Sequence, residues 1–72
     1  MRRTAVRSSS LRSIGYDARR RELEIEFIDG DIYRYSGVPA ARHAALLAAV
    51  SRGAYLNRQI KPRYRYRRLG LR

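Results

Sequence analysis

Seventy-two residues without a cysteine make one small domain near the lower limit for an unaided core, with no disulfide or thiolate metal site to staple it. The formal net charge is +11, and the 44% hydrophobic fraction leans on alanine and tyrosine, so the core is expected to be thin. No apolar run approaches the ~20 residues of a membrane span, and Arg2-Arg3 lacks the apolar segment of a secretory signal, so the expected location is the cytoplasm.

The charge is unevenly placed. Residues 1–21 carry seven arginines against one acid, residues 22–57 three arginines against five acids, and residues 58–72 six arginines and one lysine with no acid. Two basic ends around a mildly acidic middle fit a polyanionic partner, nucleic acid before others.

Residues 1–10 read as a polar, basic, partly flexible lead-in around Ser8 to Ser10. Leu11 to Ala18 alternates weakly, with Leu11, Ile14 and Tyr16 as its apolar members, and is expected to be the first strand. Gly15 within it signals a bulge or a close backbone approach. Asp17 to Arg20 forms a turn, and Arg19, Arg20 and Arg21 make a basic knuckle.

Leu23, Ile25 and Phe27 then alternate with Glu22, Glu24 and Glu26, the period-two pattern of a strand with one dry and one wet face. Asp29-Gly30 signals a hairpin, and Ile32 to Tyr35 returns as the partner strand. Two registers compete. A two-residue type I′ loop pairs Phe27 with Ile32 and puts Tyr33 and Tyr35 on the wet face. A type I turn centred on Ile28-Asp29, with Gly30 in the left-handed bulge position, pairs Phe27 with Asp31. It then sets Ile25 opposite Tyr33, Leu23 opposite Tyr35 and Glu24 opposite Arg34. The bulged form is preferred because it gathers five apolar or aromatic groups onto one surface. A one-residue slip inverts that surface, so the register decides whether the tyrosines belong to the core or to a ligand.

Ser36 to Val38 breaks the strand, and Pro39 suits the first position of a helix running to about residue 51. His43, Leu46, Leu47 and Val50, flanked by Ala49, form its expected buried stripe, with the Arg42 stem along the edge and its head in water. Gly53 is the expected left-handed terminator. A shorter helical segment over about 54–60 would point Tyr55, Leu56 and Ile60 inward, and Pro62 stops it. From there residues 62–72 read as a basic extended strand or tail in which arginines interleave with Tyr64 and Tyr66.

The expected fold is α+β, a three-stranded antiparallel meander with one main helix (about 39–51) and a shorter helical segment (about 54–60) packed on one face. The ordered series Val6, Ser8-Ser9, Ile14-Gly15-Tyr16-Asp17, Leu23-Glu24-Ile25-Glu26-Phe27, Gly30, Tyr33-Arg34-Tyr35, Val38-Pro39, Leu46-Leu47, Ser51, Gly53, Tyr55, Asn57 and Ile60-Lys61 resembles the KTSC domain. That short module occurs at the C-terminus of some lysyl-tRNA synthetases and as stand-alone small bacterial proteins, and the domain would span 11–61. Arg42, His43 and Val50 depart from its pattern, which puts any acidic role at position 50 in doubt. The attachment to a synthetase implies RNA binding, with tRNA among the candidates.

Enzymatic readings are weak. His43 is the only histidine and has no catalytic neighbour in sequence, the serines lack a nucleophile elbow, and no phosphate-binding glycine loop is present. Asp29 and Asp31 alone make a poor cation site. The expectation is therefore a protein with no catalytic residues, no metal and no cofactor. Arginine and lysine hold phosphates and tyrosine stacks on bases. The expected RNA contacts are thus Arg58, Lys61, Arg63, Tyr64, Arg65, Tyr66, Arg67 and Arg68, with Arg19, Arg20 and Arg21 as a second patch. Arg34 is the weakest member because Glu24 neutralises it. The competing reading is a module that docks an acidic protein surface through the same basic segment.

Overall fold

The turn at Asp29-Gly30 fixes the register of everything around it. In the structure, a computed structural model that describes residues 2–70, Gly30 takes φ 97°, Phe27 N donates to Asp31 O at 2.8 Å and Gly30 N donates to Phe27 O at 2.9 Å. Asp29 Oδ1 accepts from Asp31 N at 3.0 Å and braces the loop. This is the bulged hairpin. Leu23 faces Tyr35, Glu24 faces Arg34 and Ile25 faces Tyr33 across strands β3 (Glu22–Phe27) and β4 (Ile32–Ser36).

The sheet has five strands where three were expected. To β2 (Leu11–Asp17), β3 and β4 the fold adds β1 (Arg3–Ala5) on one edge and β5 (Tyr66–Gly70) on the other, all antiparallel in the order β1-β2-β3-β4-β5. The lead-in thus contributes a strand, and so does the basic segment after Pro62. Met1, Leu71 and Arg72, which belong to those two segments, lie outside the described residues.

An irregularity between Leu11 and Ser13 lets Arg12 stand out of the β2–β3 ladder, where it donates to Ile28 O at 3.0 Å. That extra residue puts Leu11 and Ile14 on the same face despite their spacing of three, which is why the alternation in this strand is weak. Gly15 serves close approach. A Cβ there would lie 2.9 Å from Arg2 O and from Arg3 Cγ, so its absence lets β1 pair closely beside β2 and the Arg3 side chain reach across Gly15 to Glu24.

One face is packed. Leu11, Ile14, Leu23, Ile25 and Tyr35 meet Val38, Leu46, Leu56 and Ile60, all essentially sealed from solvent. Helix α1 (Ala40–Ala48) begins after Pro39, which occupies the capping position just before the helix and takes an extended φ, ψ of −72°, 157°. Only Leu46 of the expected stripe is fully buried. His43 lies half-buried against Tyr16, their rings stacked at 4.5 Å, while Leu47 and Val50 are exposed. For Val50 the cause is the early end of the helix. Ala49 is extended (φ −67°, ψ 144°), so Val50 leaves the helical screw and points away from the core.

The chain restarts at Ser51, whose side chain accepts from Ala54 N and caps α2 (Arg52–Tyr55). Gly53 therefore sits inside α2 and terminates nothing. Its missing Cβ would fall 3.0 Å from Ser10 Oγ. Over Leu56–Ile60 the helix widens to i→i+5 bonding, with Lys61 N donating to Leu56 O at 2.9 Å, and Leu56 and Ile60, four residues apart, both face the core. Arg42 does not end in water. Its guanidinium donates to Tyr55 Oη at 3.2 Å and Gln59 Oε1 at 3.3 Å, tying α1 to the segment that follows. No helix among the described residues is long and apolar enough to cross a membrane.

Candidate nucleic-acid interface

Position along β5 sorts its side chains. Arg63 N and Tyr64 N both donate to Ile60 O at 3.1 Å, a turn that carries the chain past Pro62 and back to the sheet, where Ser36 N donates to Arg65 O at 2.8 Å. The register then sets Tyr66 beside Tyr35, Arg67 beside Arg34 and Arg68 beside Tyr33. Arg65 and Arg67 thus fall on the face opposite Tyr66, whereas Arg68 shares the face of Tyr66 and Tyr33. Tyr64 is half-buried against the core, and Tyr66 is 56% exposed.

Tyr66 belongs to an aromatic cluster that the short helices leave partly uncovered. Its ring stacks on Tyr33 at 5.2 Å and 27° and lies 5.7 Å from Tyr35; Phe27 meets Tyr33 edge-on at 5.5 Å. Of the two hairpin tyrosines, Tyr35 is the core member. Burial, then the nearby phenols of Tyr33 and Tyr66, push its pKa up to about 12. Tyr33 is only half-buried and forms the boundary between core and surface. Lys61 Nζ sits over the Phe27 ring, 5.3 Å from its centre.

The cations divide into those already engaged and those that are not. Arg68 Nη2 and Nε donate to Asp31 Oδ1 at 2.9 and 3.3 Å. Arg34 is held by Glu24 at 2.8 Å, as the sequence indicated, and Arg3 reaches the same carboxylate at 2.6 Å. Burial alone would raise the Glu24 pKa, but the hydrogen bonds from Arg34 and Arg3 outweigh it and hold the carboxyl below its usual value. This triad lies on the sheet face that no helix covers, and it makes the centre of that face close to neutral. By contrast, Arg58, Arg63, Arg65, Arg67 and the Arg19–Arg21 knuckle are exposed, and no carboxylate among the described residues lies within 4 Å of them. The same holds for Lys61.

The two predicted patches converge in part. Glu22 pairs with Ser36, and Ser36 bonds Arg65, so the knuckle that precedes Glu22 shares one end of the sheet with Arg65, two strand spacings or about 10 Å away. Arg21 closes that turn at φ 56°, and its carbonyl accepts from Val38 N at 2.9 Å. Lys61 and Arg68 lie toward the opposite end, near the β3–β4 turn.

Sequence reasoning placed the basic residues but missed the Arg68–Asp31 and Arg3–Glu24 pairs. It also missed the contribution of Phe27 and Tyr33 to an open aromatic surface. The alternation that marked Phe27 and Tyr33 as core-facing carried no sign of where the helical cover would stop.

Comparison with known proteins agrees with this architecture. The KTSC domain family pattern matches residues 7–64. An uncharacterised protein of Stutzerimonas stutzeri is 50% identical over 70 residues, covering 96% of this chain and 99% of the relative. A protein of Tsukamurella paurometabola is 40% identical over 60 residues, 83% of this chain and 90% of that one. The crystal structure of a KTSC domain protein from Yersinia pestis superimposes with a TM-score of 0.92 at 40% identity, covering 96% of this chain and 97% of that one.

Proposed function

The chain belongs to the KTSC domain family, and from that premise we propose that it is a non-enzymatic nucleic-acid-binding module, for RNA before DNA, that grips single strands mainly by charge. The observation that carries the reading is the unbalanced charge of the C-terminal segment. Arg58, Lys61, Arg63, Arg65 and Arg67 carry no ion-pair partner among the described residues, beside an exposed tyrosine that continues an aromatic stack. Arg67 in β5 and Arg65 just ahead of it recur on one face at a two-residue step of about 7 Å, comparable to the step between phosphates of an extended strand. Tyr66 offers a ring to a base only if that base is unstacked, which favours single strands over duplex. RNA is preferred because the family occurs fused to lysyl-tRNA synthetases.

Titration of a fluorescent single-stranded RNA across a salt series tests the reading. Five to seven phosphate contacts give a slope of log K against log salt of about −3.5 to −5. A flat salt response overturns it. One observation favours a second reading, docking of an acidic protein. Among the described residues no strand pairs with the outer edge of β5, which leaves its backbone open to strand addition by an acidic peptide. Truncating the Tyr66 ring separates the two, because it weakens base stacking and leaves backbone pairing intact.

A further inference from the structure

We propose that the cavity beneath the β3–β4 turn is a slot for a single guanine base, an inference that rests on the nucleic-acid reading above and adds one base preference to an otherwise non-specific grip. The cavity is open and about 440 Å³, within the range of small-molecule sites. Phe27 and Tyr33, edge to face at 5.5 Å, supply its aromatic wall, and Lys61 and the carboxylates of Asp29 and Asp31 supply its polar groups. Lys61 is the one residue it shares with the cations counted above for phosphate contact.

The charges around it select the ligand class. Asp31 is already engaged by Arg68. Asp29 and Lys61 face the same space, and neither has an ion-pair partner within 4 Å among the described residues. One anion and one cation without ion-pair partners, Asp29 braced by Asp31 N and Lys61 over the Phe27 ring, leave the slot neutral overall, so it favours neither a bare cation nor a bare anion. It suits a flat neutral ring that carries donors on one edge and acceptors on another.

Guanine has that layout. Its N1–H and N2–H₂ lie side by side and match the two oxygens of one carboxylate, while O6 and N7 accept from an ammonium. Adenine offers no adjacent pair of donors, and uracil offers only one. Cytosine can give a carboxylate its amino group alone. Asp29 would take the donor edge, Lys61 the acceptor edge, and the ring would lie on Tyr33, whose other neighbour Tyr66 would receive the next base of the strand.

The test compares oligouridylates of about eight nucleotides that carry one central guanosine, inosine, adenosine, cytidine or uridine, bound to the full chain at a single moderate salt concentration. The guanosine oligomer is expected to bind about tenfold tighter than the uridine one, and inosine, lacking the N2 amine, to fall between them. Asp29→Asn keeps an acceptor for Asp31 N and suits the turn. It is expected to bring guanosine within about twofold of uridine without weakening uridine binding. Equal affinities for all five oligomers, or a preference for cytidine or adenosine, overturn the guanine slot while a retained salt slope leaves the electrostatic reading standing. If no oligomer binds at low salt, both fall.

Discussion

Replacing Arg63, Arg65 and Arg67 together by glutamine isolates the cations that the fold leaves unengaged. With Arg58 and Lys61 they make five contacts on the C-terminal segment, and a single strand releases about 0.7 counterion for each phosphate neutralised. The wild-type slope is then about −3.5 and that of the triple variant about −1.4. Between 50 and 200 mM salt this means roughly a hundredfold loss of affinity for the wild type and less than tenfold for the variant. Arg68→Gln is the internal contrast. Its guanidinium is committed to Asp31, so its loss should move the slope by no more than about 0.3 and leave stability nearly unchanged. Fluorescence anisotropy over a salt series gives the slopes. Sedimentation must accompany it, because removing arginines from an edge strand removes a guard against edge-to-edge association. A triple variant with an unchanged slope, or an Arg68→Gln effect as large as one third of the triple effect, would refute the division into engaged and unengaged cations.

Leu46→Ala should destabilise by about 2–5 kcal/mol in urea titration, whereas Val50→Ala should stay within about 0.5 kcal/mol; equal losses would restore the stripe read from the sequence. Gly15→Ala drives a Cβ into Arg2 O and Arg3 Cγ, so about 1–3 kcal/mol should be lost and the β1 amides should exchange faster than those of β3. Glu24→Gln leaves two arginines without their carboxylate, but both still reach solvent, so the expected loss at pH 7 is about 1–2 kcal/mol. The Glu24 pKa is lower folded than unfolded, so its contribution is complete above the ordinary carboxylate pKa of 4.5 and fades as pH falls through the folded value. The gap between wild type and Glu24→Gln should therefore narrow from pH 7 toward pH 3, and a gap that widens would contradict the assignment.

The central hairpin was legible because three local signals agree there. Alternating Leu23, Ile25 and Phe27 set a face, Asp29-Gly30 sets the loop, and the Glu24–Arg34 match selects between registers. The outer strands were harder to read. β1 is three residues with no alternation to detect, and it is placed by a gap at Gly15 and a carboxylate at Glu24 that lie far along the chain. β5 shows its alternation plainly, but nothing local says whether such a segment finds an edge to pair with. The buried face of α1 was misread for a different reason. The 3.6-residue period was applied through Val50, whereas the helix stops at Ala48, and an arginine, engaged by Tyr55 and Gln59, takes the place of an apolar contact.

On the proposed reading, these features together limit where a polyanion would sit. The uncovered sheet face holds Glu22, Glu24 and Glu26 on one strand, with Arg3 and Arg34 drawn onto Glu24, so a strand laid flat across the sheet would pass over carboxylates whose neutralising partners are already used. The packed face is closed by the helices except around Phe27, Tyr33 and Tyr66. The excess positive charge is therefore left to the turns and to β5. On the proposed reading, a bound strand following that edge would keep its phosphates toward Arg65 and Arg67 and turn its bases toward Tyr66 on the opposite face. Alternation within one short strand thus separates the two chemistries that single-strand recognition combines. The acids in the middle of the chain keep the flat face of the sheet from competing with that edge.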